Sequence, residues 1–501
     1  MKKTVWLRII AFALLSIMLL SVFASCDTEN DTEKDTNDND ASEESATNEE
    51  VTAEPVPDMD KKNYNDEFYL SIQNACNPMD FYWVEESEGD AMSEAVYARQ
   101  QKILDYLGVN MIAKNAGGHM EYSGAFKTAV KNKDGSVDTL LTHVSSGVSS
   151  MIVEMYLQDL QDIPGIDLEE EYWNHEFMDS LSIADNYYLG YSDYNILYTY
   201  VLAFNKKMLN QLALDDYTEE SLYKSVNEGT WTLDKLLELG QLGFQEKGDK
   251  DIYGIVGMQW VPWCGFLHSS NINLVEMDET GAYKISIMND ANKERTALLV
   301  DMLKNYSASG YGSFTFQTGG QMPEAKITNN RALIQLTSTN ALESYLDYDL
   351  SFGVLPYPMF DTDQYDPNSP SLGYRSLQWG GYIAIPSYLR NDQLVGDTLS
   401  LLAFFSGNVK TTFYEKVLGK QVSEAPDDAK MLDIVWESVC SDMGQTFDGE
   451  VGILYFLPKV TWPGDGGQEL VSYYRSVESA GNKKLAAFIK KVDKLSSKNG
   501  N

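Results

Sequence analysis

The chain has 501 residues, 43% of them hydrophobic, and a formal net charge of -37. That length allows two to three domains with ordinary cores. The charge excludes nucleic acid, whose phosphates need basic patches, and excludes charge-driven attachment to anionic lipid; the acidity reads as solubility.

Lys2, Lys3 and Arg8 give a positive start, Ile9 to Val22 is almost unbroken apolar sequence, and Ala24 and Ser25 precede Cys26. The apolar run is short for a membrane-spanning helix, which needs about 20 residues, and reads as a signal peptide. V-F-A-S-C, ending at Cys26, resembles a lipobox, the processing site of bacterial lipoproteins, with Phe23 where that pattern prefers Leu. The resemblance implies that residues 1–25 are removed. It also implies a lipid (palmitate-type acylation) on Cys26, holding the protein on the extracellular face of the cell membrane through that anchor only. Residues 26–65 are mostly Asp, Glu, Asn, Thr and Ser. Such a stretch buries too little surface to offset its ordering entropy and is expected to be a disordered acidic tether, extended by its like charges. Cys76, Cys264 and Cys440 form no disulfide framework and no metal pattern.

From Asp66 onward the pattern is that of a folded body. Glu67 to Ile72 is a strand, Ser93 to Leu107 has helical periodicity, and Gly108 stops it. Val109 to Ala113 is a strand, Ala125 to Val130 helical, and Val137 to Val144 a strand running into a Ser-Gly loop at Ser145 to Ser150. The alternation predicts an α/β layer with a parallel sheet. Tyr198 to Phe204 is a strand followed by a helix from Asn205 to Leu212, and Trp231 to Phe244 is an amphipathic helix with Thr232 to cap it. Further strands are Ile252 to Met258, Ala332 to Leu336, Leu350 to Leu355 and Tyr382 to Ile385, then a helix from Gln393 to Phe405. Residues 361–372 are a loop by composition.

Several segments together resemble the extracellular solute-binding proteins of carbohydrate ABC importers, related to maltose-binding protein. They include A-V-Y-A-R-Q-Q-K-I-L from Ala95, L-Q-D-L-Q-D-I-P-G-I-D-L from Leu157, Y-W-N from Tyr172 and L-A-F-N-K-K-M-L from Leu202. G-T-W-T-L-D-K-L from Gly229, D-I-Y-G-I from Asp251, F-G-V-L-P-Y-P from Phe352 and G-G-Y-I-A-I-P from Gly380 follow in order. The resemblance covers most of the chain after Asp66; none of the segments is specific alone. It implies a type II periplasmic-binding-protein-like α/β fold: two lobes, a hinge and three crossings, near Tyr191 to Ile196, Leu350 to Phe352 and Tyr414. Lobe 1 is then residues 66–193 and 353–414, and lobe 2 residues 194–352 and 415–495. It further implies a monomeric subunit that captures a sugar between the lobes and delivers it to ABC permease transmembrane subunits. Where many relatives carry a longer acidic segment, this chain has only Gln245 to Lys250, so no metal is expected there, and no cofactor.

A sugar site needs flat aromatic faces with amides and carboxylates around them. The chain has 31 Tyr and 9 Trp. Trp260 and Trp263 follow the strand ending at Met258, and Trp379 precedes Gly380 and Gly381, where the backbone can approach a ligand. Polar candidates, chosen by position after strands or at the hinge, are Asn74, Ser145, Ser146, Asp193, Thr337, Ser338 and Arg375. Each is equally readable as a core or turn residue. His119, His143, His175 and His268 stand in no metal spacing, and no catalytic motif occurs. A surface-anchored glycoside hydrolase and a non-transport interaction lipoprotein stay open as alternatives.

Overall fold

The computed structural model describes residues 57–499 except 74–78, 117–118, 196–197, 316–325, 420–424, 463 and 465. The signal peptide, Cys26 and most of the tether lie outside the described residues, as do Asn74 and Cys76. The body begins earlier than Asp66: the Lys62 and Tyr64 amides donate to the carbonyls of Tyr106 and Leu107 at 2.8 and 2.7 Å. Lys62 Nζ also reaches the buried Asp397 carboxylate at 2.5 Å.

Alternating apolar residues make β1 (Asp66–Ile72), which buries Phe68, Leu70 and Ile72. It lies parallel to β2 (Val109–Asn115) and β3 (Thr139–His143). The helix between β1 and β2, Ala91–Leu107, starts where Asp90 accepts from the Met92 and Ser93 amides and ends at Gly108, in the left-handed region at φ 63°. After β3 the expected loop is partly helical, Val148–Val153, because Val148, Met151 and Ile152 repeat at helical spacing and are buried.

The second sheet starts with β4 (Tyr200–Asn205), continues with β5 (Tyr253–Met258), and is separated by the hairpin of β6 (Val275–Met277) and β7 (Tyr283–Ile285) from β8 (Gly312–Thr315), β9 (Ala332–Ser338) and β10 (Phe352–Leu355). Its order is β10-β4-β9-β5-β8. Gly254 is required: an added Cβ would stand 1.6 Å from the carbonyl oxygen of Gly240 in the helix Leu233–Gly243, which packs on β5. Last come β11 (Ser376–Leu377), β12 (Gly380–Ala384) and β13 (Val439–Cys440); β12 completes the first sheet in the order β12-β3-β1-β2.

Neither sheet is purely parallel, against expectation. β12 is antiparallel to β3, and β4 is antiparallel to both β9 and β10. These strands run against their neighbours because they carry the chain into or out of a lobe rather than closing a strand–helix–strand unit. The second crossing is also displaced from Leu350–Phe352. Phe352 pairs with Asn205 inside the second sheet. The following loop stays on that lobe, where the Tyr365 and Tyr374 hydroxyls donate to the carbonyls of Asn227 and Val226. The chain crosses at residues 376–379, beside Thr199, which bridges to Gln378. Tyr414 lies within the helix Gly407–Leu418, packed on Ala91–Leu107, so that helix stays with the first lobe through Leu418. The terminal helix Leu470–Asn499 touches Val148–Val153 of the first lobe as well as β7.

The helix Pro426–Glu437 is fixed to the second lobe by a buried cluster. Lys206 Nζ stands 2.9 Å from both oxygens of Asp428 and 2.6 Å from Glu219 Oε1, and the Tyr223 hydroxyl donates to Asp428. Removing Asp428 leaves the Lys206 ammonium only the more exposed Glu219 as its partner. Asp428→Ala is therefore expected to destabilise by about 3–5 kcal/mol in urea unfolding, and Lys206→Met with Asp428→Leu to recover most of that loss.

Candidate functional site

Two antiparallel pairings position the site. Gly380 of β12 lies opposite His143, the last residue of β3. Tyr200 of β4 lies opposite Ser338, the last residue of β9. The first and second crossings therefore meet the two sheets at the carboxyl ends of their parallel strands, and the Thr199–Gln378 bridge joins those crossings side by side. Ligands of open α/β sheets bind beyond such strand ends.

A row of aromatic contacts follows this line, with Trp379, His143 and Tyr200 buried and Tyr198 partly buried. The Trp379 indole meets the His143 ring edge-on at 5.7 Å, His143 meets Tyr198 at 5.9 Å, and Tyr198 meets Tyr200 at 6.3 Å. Tyr198 holds φ at 80°, a left-handed conformation that costs a bulky side chain about 1–3 kcal/mol. Gly380 makes room for a side chain here: a Cβ would stand 2.5 Å from His143 Cδ2. Trp260 lies just beyond β5 at the start of the helix Val261–Ser269 and stacks on Tyr455, with centroids 3.5 Å apart and planes at 21°.

The residues singled out from sequence separate into groups. Trp379 stands at the hinge and Trp260 at the end of β5. Thr337 and Ser338 end β9; Thr337 Oγ1 accepts from the Tyr345 hydroxyl at 2.9 Å, and Ser338 donates to Asn340 at 2.7 Å. Ser146, on the first lobe, is buried and donates to Gln73 Oε1 at 2.6 Å. The Ser145 side chain and Asn74 lie outside the described residues. Trp263 is a core residue: it is 1% exposed, donates from Nε1 to Thr461 at 2.8 Å and packs edge-on against Phe266 and Phe314. Arg375 and Asp193 line a separate groove behind the helix His175–Leu181. Sequence reasoning missed His143, Tyr198, Tyr455 and Trp436. Tyr198 carried a signal as the residue where the strand pattern begins after the Asp193 turn. Tyr455 and Trp436 carried none, since their partners are distant in sequence.

Cys264 and Cys440 are free, buried thiols; burial pushes Cys440 up to about 11. Among the described residues no group of three His, Cys, Asp or Glu side chains could hold a metal, and no helix is long and apolar enough to cross a membrane.

The two mixed sheets with their covering helices make the α/β fold of type II periplasmic-binding-protein-like solute-binding proteins. The chain resembles in structure the cyclic α-maltosyl-1,6-maltose binding protein of Arthrobacter globiformis, with a TM-score of 0.55 and 13% identity over 84% of this chain and 99% of that one. It also resembles the GacH receptor of Streptomyces glaucescens, solved unliganded and with acarbose, with a TM-score of 0.51 and 14% identity over 85% of this chain and 98% of that one. A third similar structure is a cyclo/maltodextrin-binding protein complexed with maltotetraose, at TM-score 0.52 and 9% identity, covering 88% of this chain and 98% of that one. No family model and no curated protein matches the sequence.

One buried pair beside hinge strand β13 titrates in an unusual way. Asp442 accepts from the Leu274 and Gln445 amides, and burial raises its carboxyl to about 6. His268 Nδ1 is 3.7 Å away, but burial holds the imidazole down to about 3, so the two do not form an ion pair near neutrality. Between 3.8 and about 6 the folded state holds more protons at Asp442 than the unfolded chain, so that contribution to stability falls as pH rises. Between about 3 and 6.5 the unfolded chain holds more protons at His268, so its contribution rises with pH. Relative to wild type, the Tm of His268→Gln is expected to improve as pH falls from about 6.5 to about 4, and that of Asp442→Asn to improve as pH rises from about 4 to about 7.

Proposed function

We propose that this chain is the substrate-binding subunit of an ABC importer, capturing a saccharide between its lobes and delivering it to the permease subunits. The observation that carries this reading is the meeting of both sheets, by their carboxyl strand ends, over paired hinge segments; Trp379 and His143 are buried beside them, and Tyr198 is only partly buried. Aromatic faces suit the apolar C–H surfaces of a sugar ring, and hydroxyls and amides at the ends of β1 and β9 suit its rim. The likeness to three sugar-binding structures supports the ligand class. The role is reversible capture without chemistry: hinge closure buries the guest and presents a surface to the permease. In this reading the lipid on Cys26 holds the protein at the extracellular face.

Titration with maltotetraose, acarbose, mannobiose and cyclic maltosyl-maltose is expected to give a saturable tryptophan-fluorescence change with at least one of them. Trp379→Ala is expected to weaken that binding about tenfold or more while leaving the circular-dichroism spectrum unchanged. A flat response to every saccharide sinks the sugar assignment, and release of reducing ends from the oligosaccharides would instead favour a hydrolase. Cys26→Ser, expressed in a single-membrane bacterium, is expected to move the protein from the membrane fraction; retention there would count against the lipid anchor.

A further inference from the structure

A second cavity system lies along the hinge, apart from the aromatic row. One cavity of about 410 Å³ and another of about 360 Å³ share Asn174, Glu176, Ser369, Ser371 and Glu437 in their linings and so form one groove. The larger part alone falls within the roughly 300–1,000 Å³ of small-molecule sites. One wall is the helix His175–Leu181, held to the first lobe by Phe177 against Tyr382 of β12. The facing wall is the loop through Ser369 to Arg375, held to the second lobe through Tyr365 and Tyr374. The floor is hinge strand β13, with Ser438 and Ser441 at its ends.

The lining chemistry is selective. Arg375 donates from Nη1 to Asn271 Oδ1 at 3.0 Å and from Nη2 to Asn273 Oδ1 at 2.8 Å. It also bonds the Cys440 thiol and interacts electrostatically with the buried Asp442 carboxyl. Two amide oxygens thus hold the guanidinium in place at the groove. Glu176, Asp366 and Glu437 line the same cavity, and burial raises the Glu437 carboxyl. In the adjoining half, Trp173 is 2% exposed and its indole N–H has no acceptor. An anion would meet three carboxylates here, and a cation would meet Arg375. A neutral solute rich in hydroxyls satisfies both, accepting from the guanidinium and amides and donating to the carboxylates.

The groove is also tied to the hinge. Lys410, on a first-lobe helix, stands 3.0 Å from Asp193 Oδ2 in the first crossing, and Asp193 Oδ1 accepts from Trp436 Nε1 at 3.0 Å on the helix Pro426–Glu437, fixed to the second lobe. With walls on different lobes, the width of the groove follows the hinge angle.

We propose that this groove is a second binding site, for a neutral polyhydroxylated solute of mono- or disaccharide size, whose occupancy changes affinity in the interlobe cleft. The coupling rests on the solute-binding reading above; the binding itself does not. Linkage requires the effect to be reciprocal.

The test is isothermal titration of the full chain with glucose, maltose and cellobiose, with glucose 6-phosphate and glucosamine as charged controls. Two classes of site are expected, the second preferring the neutral sugars. Ser371→Trp, which fills the groove, and Arg375→Ala, which removes its donor, are each expected to weaken the second class about tenfold or more and to shift the affinity of the first. Trp379→Ala should weaken only the first class directly. Thermal melts verify that each variant is folded, and Glu437→Gln serves as the milder replacement where Ser371→Trp is not. A single class of site in wild type, two classes that the groove variants leave unchanged, or tighter binding of glucose 6-phosphate than of glucose overturns the groove. Loss of the second class with no shift in the first overturns the coupling alone. Groove binding that persists while Trp379→Ala changes nothing in the first class defeats the cleft reading instead.

Discussion

The pairing of crossing segments at the hinge is the constraint on which the rest depends. Thr199 donates to Gln378 Oε1 at 2.6 Å, and Gln378 Nε2 donates to the Gly380 carbonyl at 2.5 Å. Gln445 Nε2 donates to the Gln378 carbonyl at 2.7 Å, and β11 lies parallel to β13 with the Ser438 hydroxyl bonded to Ser376. These groups are buried, so each unmade bond would leave a desolvated dipole. A buried network of this kind, in which only Gln445 Oε1 among the named side-chain atoms has no partner, fixes which crossings lie side by side.

That register decides where the aromatics stand. Because the 376–379 segment runs into β12 opposite the end of β3, Trp379 is delivered against His143. Because the 198–199 segment runs into β4 opposite the end of β9, Tyr198 and Tyr200 continue the row toward the second lobe. A one-residue slip of either strand would turn these side chains to the opposite face of the sheet. The strain at Tyr198 is held by the pairing on both sides of it, through Trp379 N to Tyr198 O at 3.1 Å and Thr339 N to Thr199 O at 2.9 Å. The same hinge strands floor the rear groove.

Much of the body was legible residue by residue. The strand at Glu67–Ile72, the helix stop at Gly108, the helix before Phe244 and the Gly in D-I-Y-G-I each follow from local chemistry: alternation, a left-handed cap, an apolar stripe, a close backbone approach. The helix Val148–Val153 was hidden because Ser and Gly dominate its start, and its apolar repeat is only one turn long. Strand direction was not legible at all. A strand reads the same whichever way its neighbour runs, so the antiparallel β4, β10 and β12 could not be told from parallel ones.

The sequence by itself determined the leader-like start, the acidic stretch, the order of strands and helices and the supply of aromatic side chains, because each is a matter of local composition and periodicity. Tertiary structure alone decided how deeply each tryptophan is buried and against what. Trp260 and Trp263 are three positions apart, yet one stacks on Tyr455 and the other is sealed against Phe314 and Thr461. Arg375 and Asp193, chosen by position after a strand or near a hinge, likewise line cavities whose other residues come from distant segments. The physical reason is that a site between lobes is made by contacts between segments far apart in sequence, and only their shared register brings those side chains together.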